Sequence, residues 1–201
     1  MRYGMVINLK RCIGCDACAM ACKMGNGTPP GVLWCNVVHR EIGVFPKAFV
    51  EYTPLLCMHC QNAPCVTACP TGASQKEADG IVTVMQDRCI GCRQCVVVCP
   101  YNARWYVNSK VEGYYPEVGF TAREKASYDN FEQGKVTKCN FCKERLAAGD
   151  EPACVHTCPT TSRIFGDLDD PESAVAKLIQ KNAPQPLGAE YGTEPSVFYQ
   201  R

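Results

Sequence analysis

Cysteine spacing constrains this chain more than any other feature. Seventeen of the 201 residues are cysteine, and 16 of them fall into four groups of four. The groups are Cys12, Cys15, Cys18, Cys22; then Cys57, Cys60, Cys65, Cys69; then Cys89, Cys92, Cys95, Cys99; and last Cys139, Cys142, Cys154, Cys158, with Cys35 standing apart. The first and third groups are nearly one phrase written twice, "RCIGCDACAMACK" at 11–23 and "RCIGCRQCVVVCP" at 88–100, both spaced C-x2-C-x2-C-x3-C. The second and fourth have a looser middle and a shared ending, "APCVTACPT" at 63–71 and "PACVHTCPT" at 152–160. The two repeat types alternate along the chain.

Thiolate is a soft ligand that suits zinc or iron–sulfur centres. A zinc ribbon needs only two C-x2-C knuckles and leaves the third and fourth cysteines of each run without a purpose. The run C-x2-C-x2-C-x3-C-P is a known bacterial cubane pattern, in which the fourth cysteine ligates the other of two clusters. Applied here, it predicts four [4Fe–4S] clusters. All four positions of every group are cysteine, so a [3Fe–4S] centre is not indicated. Pro70, Pro100 and Pro159 follow the last cysteine of three groups, fixing φ and removing an N–H donor, whereas Cys22 is followed by Lys23. Gly14 and Gly91 let the loops adopt backbone angles that other residues resist. Ala17, Ala19, Ala21, Val96, Val97 and Val98 are expected to enclose the clusters in apolar packing.

Spacer lengths set the pairing of the groups. Nineteen residues separate Cys69 from Cys89, against 34 between Cys22 and Cys57 and 39 between Cys99 and Cys139. The compact middle pair forms an inner module and leaves the first and fourth groups to meet around it. The outer module then holds one cluster on Cys12, Cys15, Cys18 and Cys158 and a second on Cys22, Cys139, Cys142 and Cys154. The inner module holds a third on Cys57, Cys60, Cys65 and Cys99 and a fourth on Cys69, Cys89, Cys92 and Cys95.

The remaining features say what the chain does not do. A net charge of +1 gives no electrostatic case for nucleic acid or an anionic membrane surface. Disulfide scaffolds are usually short secreted chains, and "MRYGMVINLK" ahead of the first group lacks the apolar region of a signal peptide. No run approaches the roughly 18 apolar residues of a membrane span, so neither an export signal nor an anchor is expected within the chain. No Gly-rich nucleotide loop or Ser/His/Asp set appears. Cys35 reads as a buried small hydrophobe, and His59 and His156 as packed residues within reach of a hydrogen bond to cluster sulfur; His39 has no context.

Short apolar runs at 3–7 and 80–84 read as strands ahead of each C-x2-C-x2-C-x3-C run. The aromatic-rich spacer at 101–138 reads as an insertion packing on its own module, or as a docking surface. Asp170-Pro171 followed by Val175, Leu178 and Ile179 predicts a helix over 171–182. The Pro- and Gly-rich tail reads as an extended arm.

The segments "CMHCQNAPCVTACPTGA", "RCIGCRQCVVVCPYNAR" and "KCNFCKERLAAGDEPACVHTCP" followed by "FGDLDDPES" together resemble the four-cluster electron-transfer subunits of molybdopterin oxidoreductases related to dimethyl sulfoxide reductase. The likeness runs from "YGMVI" to "GTEPSVFY" and leans to the polysulfide, thiosulfate, tetrathionate and arsenate respiratory branch. It implies an α+β fold of two pseudo-symmetric bacterial-ferredoxin-like modules, nested in sequence. Residues 1–34 with 136–182 would form the outer module, 50–108 the inner one, 109–135 an insertion and 183–201 a C-terminal arm. It also implies a large catalytic subunit carrying bis-molybdopterin guanine dinucleotide, a quinol-linked membrane anchor subunit, anaerobic respiration, and export with a twin-arginine partner to the periplasm or the outer membrane face, with the cytoplasm as the alternative. The outer module would face the catalytic subunit and the inner one the anchor. This chain itself would transfer single electrons and catalyse nothing. Two competing readings are a free polyferredoxin and a zinc-stapled structural protein.

Overall fold

The computed structural model describes residues 1–108, 111–115 and 117–201. Helices are short because the sequence ends them. Helices α2 (Pro64–Thr67), α3 (Gln94–Val97) and α6 (Ala153–His156) span four residues each, and each stops two residues before a Cys-Pro pair. Proline disfavours helical backbone in the residue before it. Helix α1 (Ala17–Asn26) contains Cys22 but no proline after it, and runs for 10 residues. It stops where Gly27 takes the left-handed conformation and its N–H bonds the Lys23 carbonyl. The missing proline therefore changes helix length.

Strand β1 (Tyr3–Asn8) is the centre of the larger sheet. Its Met5, Val6 and Ile7 are fully buried. Strand β8 (Arg163–Asp167) pairs with it antiparallel, matching Met5 to Phe165. Strand β10 (Val197–Gln200) pairs with it parallel, matching Met5 to Val197, and carries β9 (Gln185–Pro186) on its other edge. Residues 183–201 therefore do not stand off as an arm. Val197 and Tyr199 are buried in the core, and the Tyr199 hydroxyl donates to the Pro54 carbonyl at 2.7 Å. The tail alternates buried and half-buried residues over 197–200, the period of a strand with one face on a core, a signal that its prolines and glycines obscure.

The smaller elements complete the frame. Strands β2 (Cys35–Ile42) and β3 (Phe49–Leu56) form a long antiparallel hairpin. Strands β4 (Ser74–Lys76) and β5 (Val82–Val84) form a second, and β6 (Trp105–Tyr106) pairs with β7 (Val136–Thr137). Helix α4 (Ala122–Ser127) lies in the aromatic spacer, α5 (Lys143–Ala147) in the fourth cysteine group, and α7 (Ala174–Asn182) on β8. Helix α7 begins three residues later than Asp170-Pro171 suggests, because the Ser173 hydroxyl accepts the Ala176 N–H at 3.1 Å and is the operative cap. Helix α1 packs on α6, and α2 on α3. No helix among the described residues is long and apolar enough to cross a membrane.

The spacer packs on two parts of the chain. Thr121 and Glu124 close a capping box at the start of α4. Arg123 then donates to the Met24 and Gly25 carbonyls at the end of α1. Phe131 meets Trp34 with ring centroids 5.9 Å apart, and the Lys23 ammonium lies over the Tyr114 ring at 5.5 Å. The spacer also stays on the third cysteine group, where the Lys135 ammonium donates to the Cys89 carbonyl at 2.7 Å and Arg93 lies over the Tyr106 ring at 3.7 Å. It therefore packs on the segment it follows, as expected, and braces residues 23–34 as well, because the open carbonyls at the end of the long helix α1 need donors.

Replacing Tyr199 by Phe leaves the buried Pro54 carbonyl without its donor. A loss of about 1–3 kcal/mol is expected, read as a lower thermal unfolding midpoint at unchanged iron content.

Candidate iron–sulfur sites

Left-handed backbone turns place the sulfurs. Within the first group Gly14 has φ +67 and Asp16 +56; within the third Gly91 has +68 and Arg93 +62. The second and fourth groups use His59 (+44), Phe141 (+54) and Cys142 (+55). Three residues beyond each Cys-Pro cysteine the chain turns left-handed again, at Gly72, Asn102 and Thr161. Such reversals wrap a chain around a centre and turn N–H groups inward. At Gly91 no larger residue would serve, since a Cβ would stand 1.9 Å from the Gly134 carbonyl oxygen. At Gly14 a Cβ would stand 2.3 Å from the Tyr52 ring.

The thiols come together in sets drawn from distant parts of the chain. Cys12, Cys15, Cys18 and Cys158 line one cavity. Cys57, Cys60, Cys65 and Cys99 line another. Cys139 has Cys22 and Cys154 as charged neighbours, and Cys22 has Cys154 and Cys142. Cys95 neighbours Cys89 and Cys69, and Cys92 lies exposed in the same loop. Cys139 also feels Cys57, which joins the second set to the third.

Burial and hydrogen bonding pull the thiol equilibria in opposite directions. Burial lifts the Cys60 thiol to about 12, and it pushes Cys22 and Cys139 upward together with their thiolate neighbours. Cys18 and Cys154 go the other way, to about 6 and about 7, through hydrogen bonding to Cys35 and the Arg163 charge, and metal coordination deprotonates a thiol outright. The surroundings suit the deprotonated form. Backbone N–H groups of Ser74, Ser162 and Phe141 donate to Cys69, Cys158 and Cys139 at 3.4, 3.3 and 3.5 Å. At Cys69 and Cys158 burial raises the thiol, but hydrogen bonds from Ser74, Thr71, Ser162 and Thr160 outweigh it and the net direction is down. Asn26 reaches Cys22 and Cys142 at 3.5 and 3.7 Å. No three His, Cys, Asp or Glu side chains among the described residues meet at one single-ion position; the sulfurs ring spaces instead. The donor set fits iron–sulfur clusters.

Residues outside the cysteine groups complete the sites. Arg104 donates to Cys65 at 2.9 Å and Arg163 to Cys18 at 3.3 Å. Sequence reasoning missed both, though each stands five residues after a Cys-Pro cysteine, in "CPYNAR" and "CPTTSR". Cys35 is buried as expected, but not as an inert hydrophobe: it accepts from Arg163 at 3.3 Å and hydrogen-bonds Cys154 and Cys18, contacts that push its own thiol well up and keep it protonated. His59 is fully buried, accepts the Val82 N–H at Nδ1 and stacks on Phe141 with centroids 3.8 Å apart. Burial, then the charges of Lys138 and Arg104, hold it well below the usual histidine range and neutral. His156 ends α6, and His39 contacts Asp16 on the surface. The expected apolar wall fails at Val97 and Val98, 83% and 38% exposed, because a four-residue helix has only one face to bury.

Two models of the 4Fe–4S dicluster domain match the chain, one over 48–113 and 124–168 and one over 11–73. The chain belongs to the 4Fe–4S dicluster family. It is 40% identical over 226 aligned residues to the arsenate respiratory reductase iron–sulfur subunit ArrB of Shewanella sp. strain ANA-3, covering 100% of this chain and 97% of that protein. It is 42% identical to a selenate reductase subunit of Mesobacillus selenatarsenatis, over 99% and 72% of the two chains. A tetrathionate reductase subunit of Salmonella typhimurium is 39% identical, over 98% and 72%. This dicluster protein is an iron–sulfur electron-transfer subunit of a reductase complex and is not itself the catalyst.

Gly91→Ala should break the 89–95 loop, through both the clash with Gly134 and the positive φ. Limited proteolysis is expected to cleave the variant at this loop. Ile90→Ala, at a neighbouring side chain that is 67% exposed, should resist like the parent protein.

Proposed function

We propose that the chain binds four [4Fe–4S] clusters as a four-step electron wire, with the 16 grouped cysteines as ligands. Cys12, Cys15, Cys18 and Cys158 hold the first, and Cys22, Cys139, Cys142 and Cys154 the second. Cys57, Cys60, Cys65 and Cys99 hold the third, and Cys69, Cys89, Cys92 and Cys95 the fourth. The observation that carries this reading is the gathering of sulfurs from residues 12–18 and from Cys158 around one cavity, across most of the chain. Each cluster, when bound, takes up and releases one electron without a proton. The chain's own part is to fix the spacing of the sites, exclude water with buried side chains, and aim N–H donors and cations at the sulfurs.

Nested, pseudo-symmetric modules follow from the same reading. Helix α1 on α6 with β1 on β8 answers α3 on α2 with β5 on β4. His59 and Phe141 are matching left-handed residues of "CMHC" and "CNFC", and they stack on each other at the seam. Residues 1–34 with 136–182 make the outer module and 50–108 the inner, with 109–135 as the brace described above. The cluster order is first, second, third, fourth, since Cys139 and Cys57 adjoin across the seam.

The partner is a large catalytic subunit with bis-molybdopterin guanine dinucleotide, facing the outer module. A quinol-linked membrane subunit faces the inner module, and the assembly works in anaerobic respiration at the periplasmic or outer face of the membrane, exported on the partner's twin-arginine signal. Support for these assignments is the resemblance to respiratory reductase subunits and the names of the relatives. Co-purification from native membranes, with fractionation of periplasm and cytoplasm, tests them; a free, stable, cytoplasmic monomer would return the protein to the polyferredoxin reading.

Metal analysis should give about 16 iron per chain, four per cluster, and essentially no zinc. Zinc in place of iron would establish a structural site instead. Cys158→Ser is expected to alter the first cluster and leave the inner pair intact, as read by EPR of the reduced protein. Loss of signal from the inner pair would refute the nested assignment.

A further inference from the structure

Two arginines are buried where a guanidinium is costly. Arg163 is 2% exposed and Arg104 is 4% exposed. Arginine is almost never this buried without an anionic partner. Yet among the ion pairs of the described residues, which join Asp and Glu side chains to other cations including the N-terminal ammonium, neither arginine takes part. What surrounds them is sulfur. Arg163 donates through Nη2 to Cys18 and Cys35, both at 3.3 Å, and its Nη1 lies 3.9 Å from the Met5 sulfur. Its charge acts on Cys35, Cys154 and Cys18. Arg104 donates through Nη2 to Cys65 at 2.9 Å and through Nη1 to Ser74 at 2.7 Å. Its charge acts on Cys65, Cys57 and Cys95.

These contacts follow one plan. Cys18 and Cys154 are the third cysteines of the first and fourth groups, and Cys65 and Cys95 are the third cysteines of the second and third. Each arginine thus acts on the sulfur sets of both clusters of its own module. We propose that Arg163 and Arg104 are the internal counter-ions of the two cluster pairs, each guanidinium shared by two clusters and holding the reduction potentials of both up. The inference rests on the four-cluster reading above. An electron entering a cluster adds one negative charge to a site already rich in thiolate, and no proton accompanies it. A fixed cation at hydrogen-bond distance from a ligand sulfur favours the more negative state. Because one charge serves two clusters, removing it should move two potentials together. A third buried cation, Lys138, lies at the seam; its charge also reaches Cys65 and Cys139, but its ammonium donates to the Val82 and Cys139 carbonyls and to no ligand sulfur, so it stays as a constant background in the arginine variants.

The test is an EPR-monitored redox titration of the iron-loaded full-length chain, with dithionite as electron donor, on Arg163→Met, Arg163→Lys, Arg163→Gln and the matching Arg104 set. Iron per chain and the number of reduced-state signals report the cluster reading; midpoint shifts report this inference. Arg163→Met should keep its iron and lower the one-electron reduction equilibrium of both outer clusters by about tenfold or more, the scale of a charge-assisted hydrogen bond, or about 59 mV. The inner pair should be unmoved. Arg104→Met should do the converse, and the lysine variants should retain most of the parent potentials. Where a methionine variant loses iron, the glutamine and lysine variants decide: both keep a polar donor but only lysine keeps the charge, so a fall in the glutamine variant alone supports the proposal. Unchanged midpoints at full iron content, equal midpoints in the glutamine and lysine variants, or an equal shift of all four clusters would each overturn it.

Discussion

Everything in this protein depends on keeping sulfur-centred negative charge inside a small core. Thiols from residues 12 to 158 converge, most of them within one hydrophobic cluster, where water solvates them poorly. Left as thiols, the most deeply buried, such as Cys22 and Cys139, would be held protonated by burial. As metal-bound thiolates they need donors and cations, and the fold supplies both: the N–H groups of Ser74, Phe141 and Ser162 in tight turns, and the guanidiniums of Arg104 and Arg163. The short helices and left-handed turns are the backbone's answer to that demand, since long regular elements would direct their N–H groups to their own carbonyls.

The same demand organises the scaffold. Metal bonds tie the chain's ends to each other in the proposed arrangement, so folding energy and cofactor binding are one quantity. The sheet works in the same direction. Strand β1 opens the chain and is flanked by β8 and β10 from its far end. The aromatic brace then secures the open end of α1, where a longer helix has replaced the Cys-Pro stop found in the other three groups. A wire subunit benefits from such rigidity, because electron transfer depends on fixed spacing between sites.

Local chemistry was legible in the residues, and long-range chemistry was not. The four cysteine groups, the helix stops at Pro70, Pro100 and Pro159, and the strands ahead of the repeated runs are encoded within a few residues of each feature. Arg104 and Arg163 were present in the sequence as a repeated offset from Cys-Pro, but arginine is ordinarily a surface residue, and nothing local marks these two as buried. Val97 shows the reverse error. An apolar run beside ligands suggests burial, yet a single helical turn can hide only part of it.

By itself, the sequence determined the metal chemistry. Four groups of four cysteines, two of them at cubane spacing, admit few other centres, and the unequal spacers already favoured a compact inner pair inside an outer one. Only the tertiary structure decided which charges the sulfurs meet. It brought Arg163 beside Cys18, 145 residues away, and Arg104 beside Cys65, 39 residues away. It also folded the expected arm back as β10 and set Cys35 on the Arg163 guanidinium beside Cys18. The physical reason is common to all of these. Ligand spacing is a property of one loop, whereas burial and electrostatic compensation depend on every element that closes over the loop.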